Sequence, residues 1–180
     1  MIAGLILAGG RATRLGGIDK ATITLNGQSL LIHVHARLTP QVAAIAISGP
    51  ETLPDSAEFV GTGPLAGIEA GLTWADAIGA TALLSVPVDT PLIPENLAAK
   101  LSPAPAVAVY GGRQHHLVAL WPTSFLPRLR TFLRTDPKHR VRDALELCMA
   151  RPINFTGPAD PFYNINTPED LAYAESLLHA

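Results

Sequence analysis

The sequence predicts an α/β protein of three layers, α/β/α, with one mostly parallel sheet that carries an antiparallel element. Apolar runs rich in Ile, Val, Leu and Ala recur along the chain and alternate with segments of helical periodicity. The first three runs are nearly continuous, as strands covered by helices on both faces are. Strand, helix and strand in succession imply crossover connections and parallel neighbours.

The first run, IAGLIL at 2–7, reads as a strand; it is short and has no basic leader, so a signal peptide is not expected. A helical pattern follows at 29–38, then a strand at 42–47 and a helix at 65–77. Residues 81–88 form the most apolar strand, followed by a helix at 95–101. Strands at 106–110 and 117–121 are joined through Gly111 and Gly112, which reads as a hairpin and supplies the antiparallel element. Helices are expected at 125–133 and 140–149. The last helix has Thr167 as N-cap, Pro168 at its first position and Asp170 three residues after the cap, close to a capping box. At 180 residues, without repeats or a linker, the chain reads as one domain over 1–180.

Apolar residues make up 48% of the chain and charged residues 16%, which suits a packed core and argues against disorder. Thirteen Lys and Arg against fifteen Asp and Glu leave a net charge of −2, so no global field draws in nucleic acid or an anionic membrane. Any anion site must be local. Cys148 stands alone, with no zinc-ligand spacing around it, so a reducing compartment, the cytoplasm, is expected. Every apolar stretch is broken well before the length that spans a bilayer, so no membrane segment is expected.

The stretch LAGGRATRLGGIDK, at 7–20, carries the strongest chemical signal. In open sheets of this kind ligands sit beyond the carboxyl ends of the strands, where strand order reverses, and this loop leaves the first strand. Gly9 and Gly10 let backbone N–H groups approach an oxyanion without a Cβ in the way. Arg11, Arg14 and Lys20 add cations suited to phosphate. The spacing is neither a Walker A loop nor a GxGxxG dinucleotide fingerprint, so P-loop hydrolysis and hydride transfer lose ground. The residues alone lead to a phosphate-binding loop.

A second group lies in LLSVPVDTP at 83–91, where Pro87 and Pro91 interrupt strand pairing and Asp89 is held at the strand's carboxyl edge. Two roles are open to it: a hard ligand for Mg²⁺ shared with substrate phosphates, or a turn-forming residue. GTGPLAGIEAG at 61–71 opens a helix with small residues. They allow either close approach of a nucleotide or close packing of helix on sheet.

LAGGRATRLGGIDK, GPLAG at 63–67, DTP at 89–91 and NINTPEDL at 164–171, in this order and spacing, resemble the molybdenum cofactor guanylyltransferases, nucleotidyltransferases of Rossmann-like, GT-A-like fold. The resemblance implies transfer of GMP from GTP to the phosphate of molybdenum-bound molybdopterin, with release of pyrophosphate. Leu7, Ala8 and Gly9 would contact the nucleotide, and Gly10 and Gly16 would shape the loop. Arg14 and Lys20 would hold the triphosphate, and Asp89 would bind Mg²⁺. Ser48, Gly63, Pro64 and Leu65 complete the nucleotide site that the resemblance implies. Ser48 stands where the family usually carries Asn, and the acid usual before GPLAG is missing from 59–62, with Glu58 the nearest substitute.

Asn164 and Asn166 match the guanylyl branch, where related transferases often carry acids, and are candidates for binding the acceptor; they could equally brace the loop before the last helix. Of His115 and His116, neighbours on a strand, one at most is expected at the acceptor edge. Arg113, Arg140 and Arg142 could meet the acceptor's phosphate, but helix and hairpin surfaces routinely carry such charges and the solvated reading is preferred. Transient contact with molybdenum-insertion proteins or apo-molybdoenzymes would follow from the same reading. A cytidylyl or sugar-phosphate nucleotidyltransferase of the same fold, or a nucleotide-binding protein without catalysis, are the alternatives.

Overall fold

A computed structural model describes residues 1–8, 11–12 and 18–178, with the side chains of 11, 12 and 18–20 outside that description. The strands are β1 (Ile2–Leu7), β2 (Arg11–Ala12), β3 (Ile18–Asp19), β4 (Thr24–Leu25), β5 (Gln28–Ser29), β6 (Ile45–Ser48), β7 (Ala82–Pro87), β8 (Ala106–Tyr110), β9 (Arg113–Pro122) and β10 (Arg151–Phe155). The helices are α1 (Leu30–Leu38), α2 (Pro64–Ala77), α3 (Leu97–Leu101), α4 (Leu126–Thr135), α5 (Val141–Leu147) and α6 (Pro168–Leu178).

The main sheet has the order β10-β8-β9-β7-β1-β6. Neighbours are parallel except where β9 lies antiparallel between β7 and β8. That strand is the antiparallel element expected from the Gly111-Gly112 turn, both of whose glycines have positive φ. Two short ribbons lie outside the sheet: β2 with β3, and β4 with β5. Asn26 and Gly27, at φ 49° and 77°, close the second, as an Asn-Gly pair does in a tight hairpin.

Alternation along the strands divides the core into two layers. Ala3, Leu5 and Leu7 of β1, Leu83 of β7 and Trp121 of β9 face α2, α4 and α5. Ile6, Leu84, Val86 and Leu120 face the other side, with Leu30 and Val34 of α1, Leu97 and Leu101 of α3, and Ala174 of α6. The chain passes from β1 through α1 to β6 on one side and through α2 to β7 on the other, so strand order reverses at β1.

Two ends of the fold differ from expectation. The second strand begins at Ile45, three residues later than the apolar run does, after a short 3-10 turn at Thr39–Gln41. β10 was not expected at all. It pairs parallel with β8 at the sheet edge, and Arg151, Pro152 and Asn154 are exposed there, so the strand has little of the apolar signal of a covered one.

Candidate active site

The carboxyl ends of β1, β6 and β7 open onto a cleft of about 460 Å³. Leu7, Ser48, Gly63, Pro64 and Asp89, five of the residues predicted for the nucleotide site, line it together. Ala8 donates its N–H to Ser48 Oγ at 3.1 Å, so the serine braces the start of the glycine loop. A Cβ on Gly67 would stand 3.2 Å from Leu7 Cδ2 and 3.4 Å from Ser48 Cβ; glycine there lets α2 close on the cleft wall. Leu65 differs from its neighbours: its side chain is fully buried in the core, so any contact it makes with a nucleotide is through the backbone. Gly9, Gly10, Arg14 and Gly16 lie outside the described residues, as does the side chain of Lys20, whose backbone starts a 3-10 turn.

A second, smaller cleft of about 180 Å³ adjoins the first and shares Pro87 and Leu117 with it. Thr90, Arg113, His115, His116 and Asn164 are among its walls. Its origin is an irregularity in β9. Val107 and Ala108 are neighbours on β8 but pair with Ala119 and His115, so residues 116–118 form an excursion from the ladder. Ser85 holds it in place: fully buried, its Oγ donates to Leu117 O at 2.9 Å and accepts Trp121 Nε1–H at 3.0 Å. The excursion explains why both His115 and His116 line one cleft, where strand alternation predicts one.

His115 is 8% exposed, with its ring 5.0 Å from that of Phe162. Its Nε2 lies 3.4 Å from Asp160 Oδ2 without the alignment of a hydrogen bond. Burial lowers its pKa from the ordinary value; Asp160 opposes that shift, and Arg113 and His116 add to it. Burial likewise lowers His116, helped by Arg142 and Arg113. Both rings are therefore set to stay neutral near neutral pH.

Asp89 lines the larger cleft and is bonded to Asn164 in the wall of the smaller. It is 7% exposed, in a turn closed by the Thr90 hydroxyl, which donates to Pro87 O at 2.8 Å. Asn164 Nδ2 donates to Asp89 Oδ1 at 3.2 Å, and Ile165 N–H donates to Asp89 O at 2.9 Å. Residues 75 positions apart thus meet at one point. Asp170 anchors the segment that delivers Asn164. Its Oδ2 accepts the N–H groups of Asn166 and Thr167, its own N–H donates to Thr167 Oγ1, and Tyr163 donates its hydroxyl to Oδ1 at 2.5 Å. This is the expected capping box, extended by a tyrosine. Burial works against the ionised Asp170 carboxylate, but the hydrogen bonds from Tyr163, Asn166 and Thr167 outweigh it and hold its pKa low. The same bond pushes Tyr163 up to about 12.

Another acid, eight residues before Gly63, lies at the larger cleft. Asp55 lines the cleft at the ends of β1, β6 and β7, and its pKa is raised by burial and by the charge of Glu69. Glu58, the substitute named from sequence, points elsewhere, into a two-pronged surface pair with Arg134 at 2.6 and 3.0 Å. Among the described residues no three His, Cys, Asp or Glu side chains gather to hold a metal unaided. The Asp89 carboxylate, in the larger cleft and bonded to Asn164 of the smaller, fits an ion such as Mg²⁺, which takes one or two carboxylates together with water and substrate phosphates.

Residues 4–150 match the model of the MobA-like NTP transferase domain. The chain belongs to this family. It is a nucleotidyltransferase, 46% identical over 183 residues to the molybdenum cofactor guanylyltransferase of Acidiphilium cryptum, with 96% of this chain and 93% of that protein covered. The molybdenum cofactor guanylyltransferase of Rhodobacter capsulatus is 45% identical, with 98% and 96% covered. Among solved structures, the molybdopterin-guanine dinucleotide biosynthesis protein A of Archaeoglobus fulgidus superposes with a TM-score of 0.74 at 19% identity, covering 98% of both chains. The 2-C-methyl-D-erythritol 4-phosphate cytidylyltransferase of Thermus thermophilus has a TM-score of 0.63 at 16% identity, with 98% of both chains covered. The MobA-like transferase thus has the GT-A-like fold that its motifs imply. No helix among the described residues is long and apolar enough to cross a membrane.

Proposed function

We propose that this nucleotidyltransferase moves GMP from GTP to the terminal phosphate of molybdenum-bound molybdopterin, releasing pyrophosphate, and does so in the cytoplasm. The observation that carries the reading is the meeting of two clefts through the Asp89–Asn164 bond, one at the carboxyl ends of β1, β6 and β7 and one beside the excursion in β9. The larger would take the donor. Asp55 in its wall offers acceptor oxygens to the N–H groups of guanine, while Ala8 and the helix start at Gly63 and Pro64 face the sugar and phosphates. The smaller would take the acceptor. Arg113 brings charge to its phosphate, and Asn164 and the neutral histidines bring hydrogen bonds without repelling an anion.

In the step itself an acceptor phosphate oxygen attacks the α-phosphorus of GTP. A new P–O bond forms, the bond from the α-phosphorus to its β-bridging oxygen breaks, and pyrophosphate leaves with the electron pair. The nucleophile is already ionised, so the chain needs no strong general base. Catalysis consists of neutralising charge and holding donor and acceptor in line. Asp89 would hold Mg²⁺, which when bound neutralises charge on the reacting phosphates. Asn164 keeps the Asp89 carboxylate oriented, and Arg14 and Lys20 of the glycine loop would grip the triphosphate. The cofactor product would pass to molybdenum-insertion proteins or apo-molybdoenzymes by transient contact.

The test follows pyrophosphate from protein, Mg²⁺, molybdopterin acceptor and each nucleoside triphosphate in turn. Release with GTP is expected. Release with CTP or UTP instead would select a transferase for another nucleotide, and GTP binding without release would select a protein that only binds. Asp89→Asn should keep the fold and lose about two to three decades of turnover, the effect of about 3 to 4 kcal/mol of lost charge stabilisation.

A further inference from the structure

Glu69 lies on α2 and is fully buried. Each of its oxygens serves a different element. Oε1 accepts from Arg130 of α4, at 2.7 Å from both Nε and Nη2, and from the Thr73 hydroxyl at 3.1 Å. Oε2 accepts the Ser56 hydroxyl, at 2.5 Å, from the loop between β6 and α2. Thr73, one turn along α2, accepts from Arg130 Nη2 at 3.0 Å and fixes the guanidinium further. Burying a carboxylate is unfavourable unless every oxygen is met, and the contact of α2 with α4 did not require one. Leu65, Ile68, Leu72, Leu129 and Leu133 make that contact with apolar surface. What a carboxylate adds is direction. It joins a helix pair to one particular hydroxyl on a loop, and the residue beside that hydroxyl is Asp55, in the wall of the nucleotide cleft.

We propose that Glu69, clamped by Arg130 and bonded to Ser56, is a positioning residue that sets the 49–63 loop so that Asp55 faces the donor nucleotide. The proposal rests on the reading of that cleft as the GTP pocket. Glu69 touches no substrate; it acts through Ser56 on Asp55. The rigid part is the α2–α4 pair, and among the described residues Ser56 is the side chain that links the Glu69 carboxylate to the loop.

Changing Glu69 itself strands the Arg130 charge and endangers the fold, so the link is tested from Ser56. Ser56→Ala removes the link and leaves Glu69 paired with Arg130. GTP affinity is measured on the full chain with Mg²⁺ and a fluorescent GTP analogue, and KM and kcat from pyrophosphate release. Ser56→Ala should raise Kd and the KM for GTP about tenfold with kcat little changed, the size expected for a lost hydrogen bond to a carboxylate. Ser56→Thr, which keeps the hydroxyl, should restore both. Ser56→Ala combined with Asp55→Ala should bind no worse than Asp55→Ala alone, because the two act in series. If Asp55→Ala weakens GTP and Ser56→Ala does not, the positioning role is overturned and the cleft reading stands. If Asp55→Ala itself leaves GTP affinity unchanged, the reading of this cleft wall is overturned and the strut has nothing to position.

Discussion

His115 shows how much a single position owes to its surroundings. Phe162 packs against its ring, Asp160 stands 3.4 Å from Nε2, and Arg113 and His116 bring positive charge or the capacity for it. Burial wins, and the folded protein favours the neutral ring. A histidine whose folded pKa lies below its unfolded value of 6.5 contributes stability that is complete above pH 6.5 and is lost as pH falls through the folded value. Thermal unfolding should therefore give a lower Tm at pH 5.5 than at pH 7.5, and His115→Gln should reduce that difference. An unchanged difference in the variant would assign the pH dependence to other groups. Cys148 takes the opposite route to inertness: burial raises its thiol to about 11 although Arg128 pulls it down, so it is protonated near neutral pH and a poor nucleophile.

Among the elements, α2 does the most for the site. Its glycines are spaced so that the helix sits directly on β1: a Cβ on Gly71 would meet Leu5 Cδ2 at 2.6 Å and Leu83 Cδ2 at 3.0 Å, both in side chains with no room to move. Gly71→Ala is expected to cost about 1 to 3 kcal/mol by overpacking, read as a fall in the urea midpoint. A midpoint equal to wild type would mean that the helix can lift off the sheet freely. Of the two roles that the small residues of GTGPLAGIEAG allow, close packing is thus visible at Gly67 and Gly71, while Gly63 and Pro64 face the cleft. The elements with strong local signals were readable from residues alone. Thr167, Pro168 and Asp170 announce α6, and the paired glycines announce the β8–β9 turn. What was not readable depends on distant partners. The excursion at 116–118 is fixed by Ser85 across 32 residues, Asn164 meets Asp89 across 75, and Asp55 reaches the cleft through the fold of a loop with no periodicity. β10 is hidden because an edge strand needs little apolar surface.

For the molecule as a whole, topology places the chemistry. The connections on either side of β1, α1 leading to β6 and α2 leading from β6 to β7, lie on opposite faces of the sheet, and a cleft opens there at the strand ends. Insertion of antiparallel β9 beside β7 opens the second. With a net charge of −2 the chain has no global pull on a polyanion, so capture would fall to local cations, for which the sequence offers Arg14 and Lys20. The central claim is that both substrates converge on Asp89 from these two sides. A crystal structure of the protein with Mg²⁺ and a non-hydrolysable GTP analogue tests it most directly. The account predicts the base between Asp55 and Ser48, with the α-phosphate beside Asp89 and within reach of the cleft that holds Asn164. A nucleotide bound with its α-phosphate away from Asp89, or outside the cleft behind β1, would contradict it.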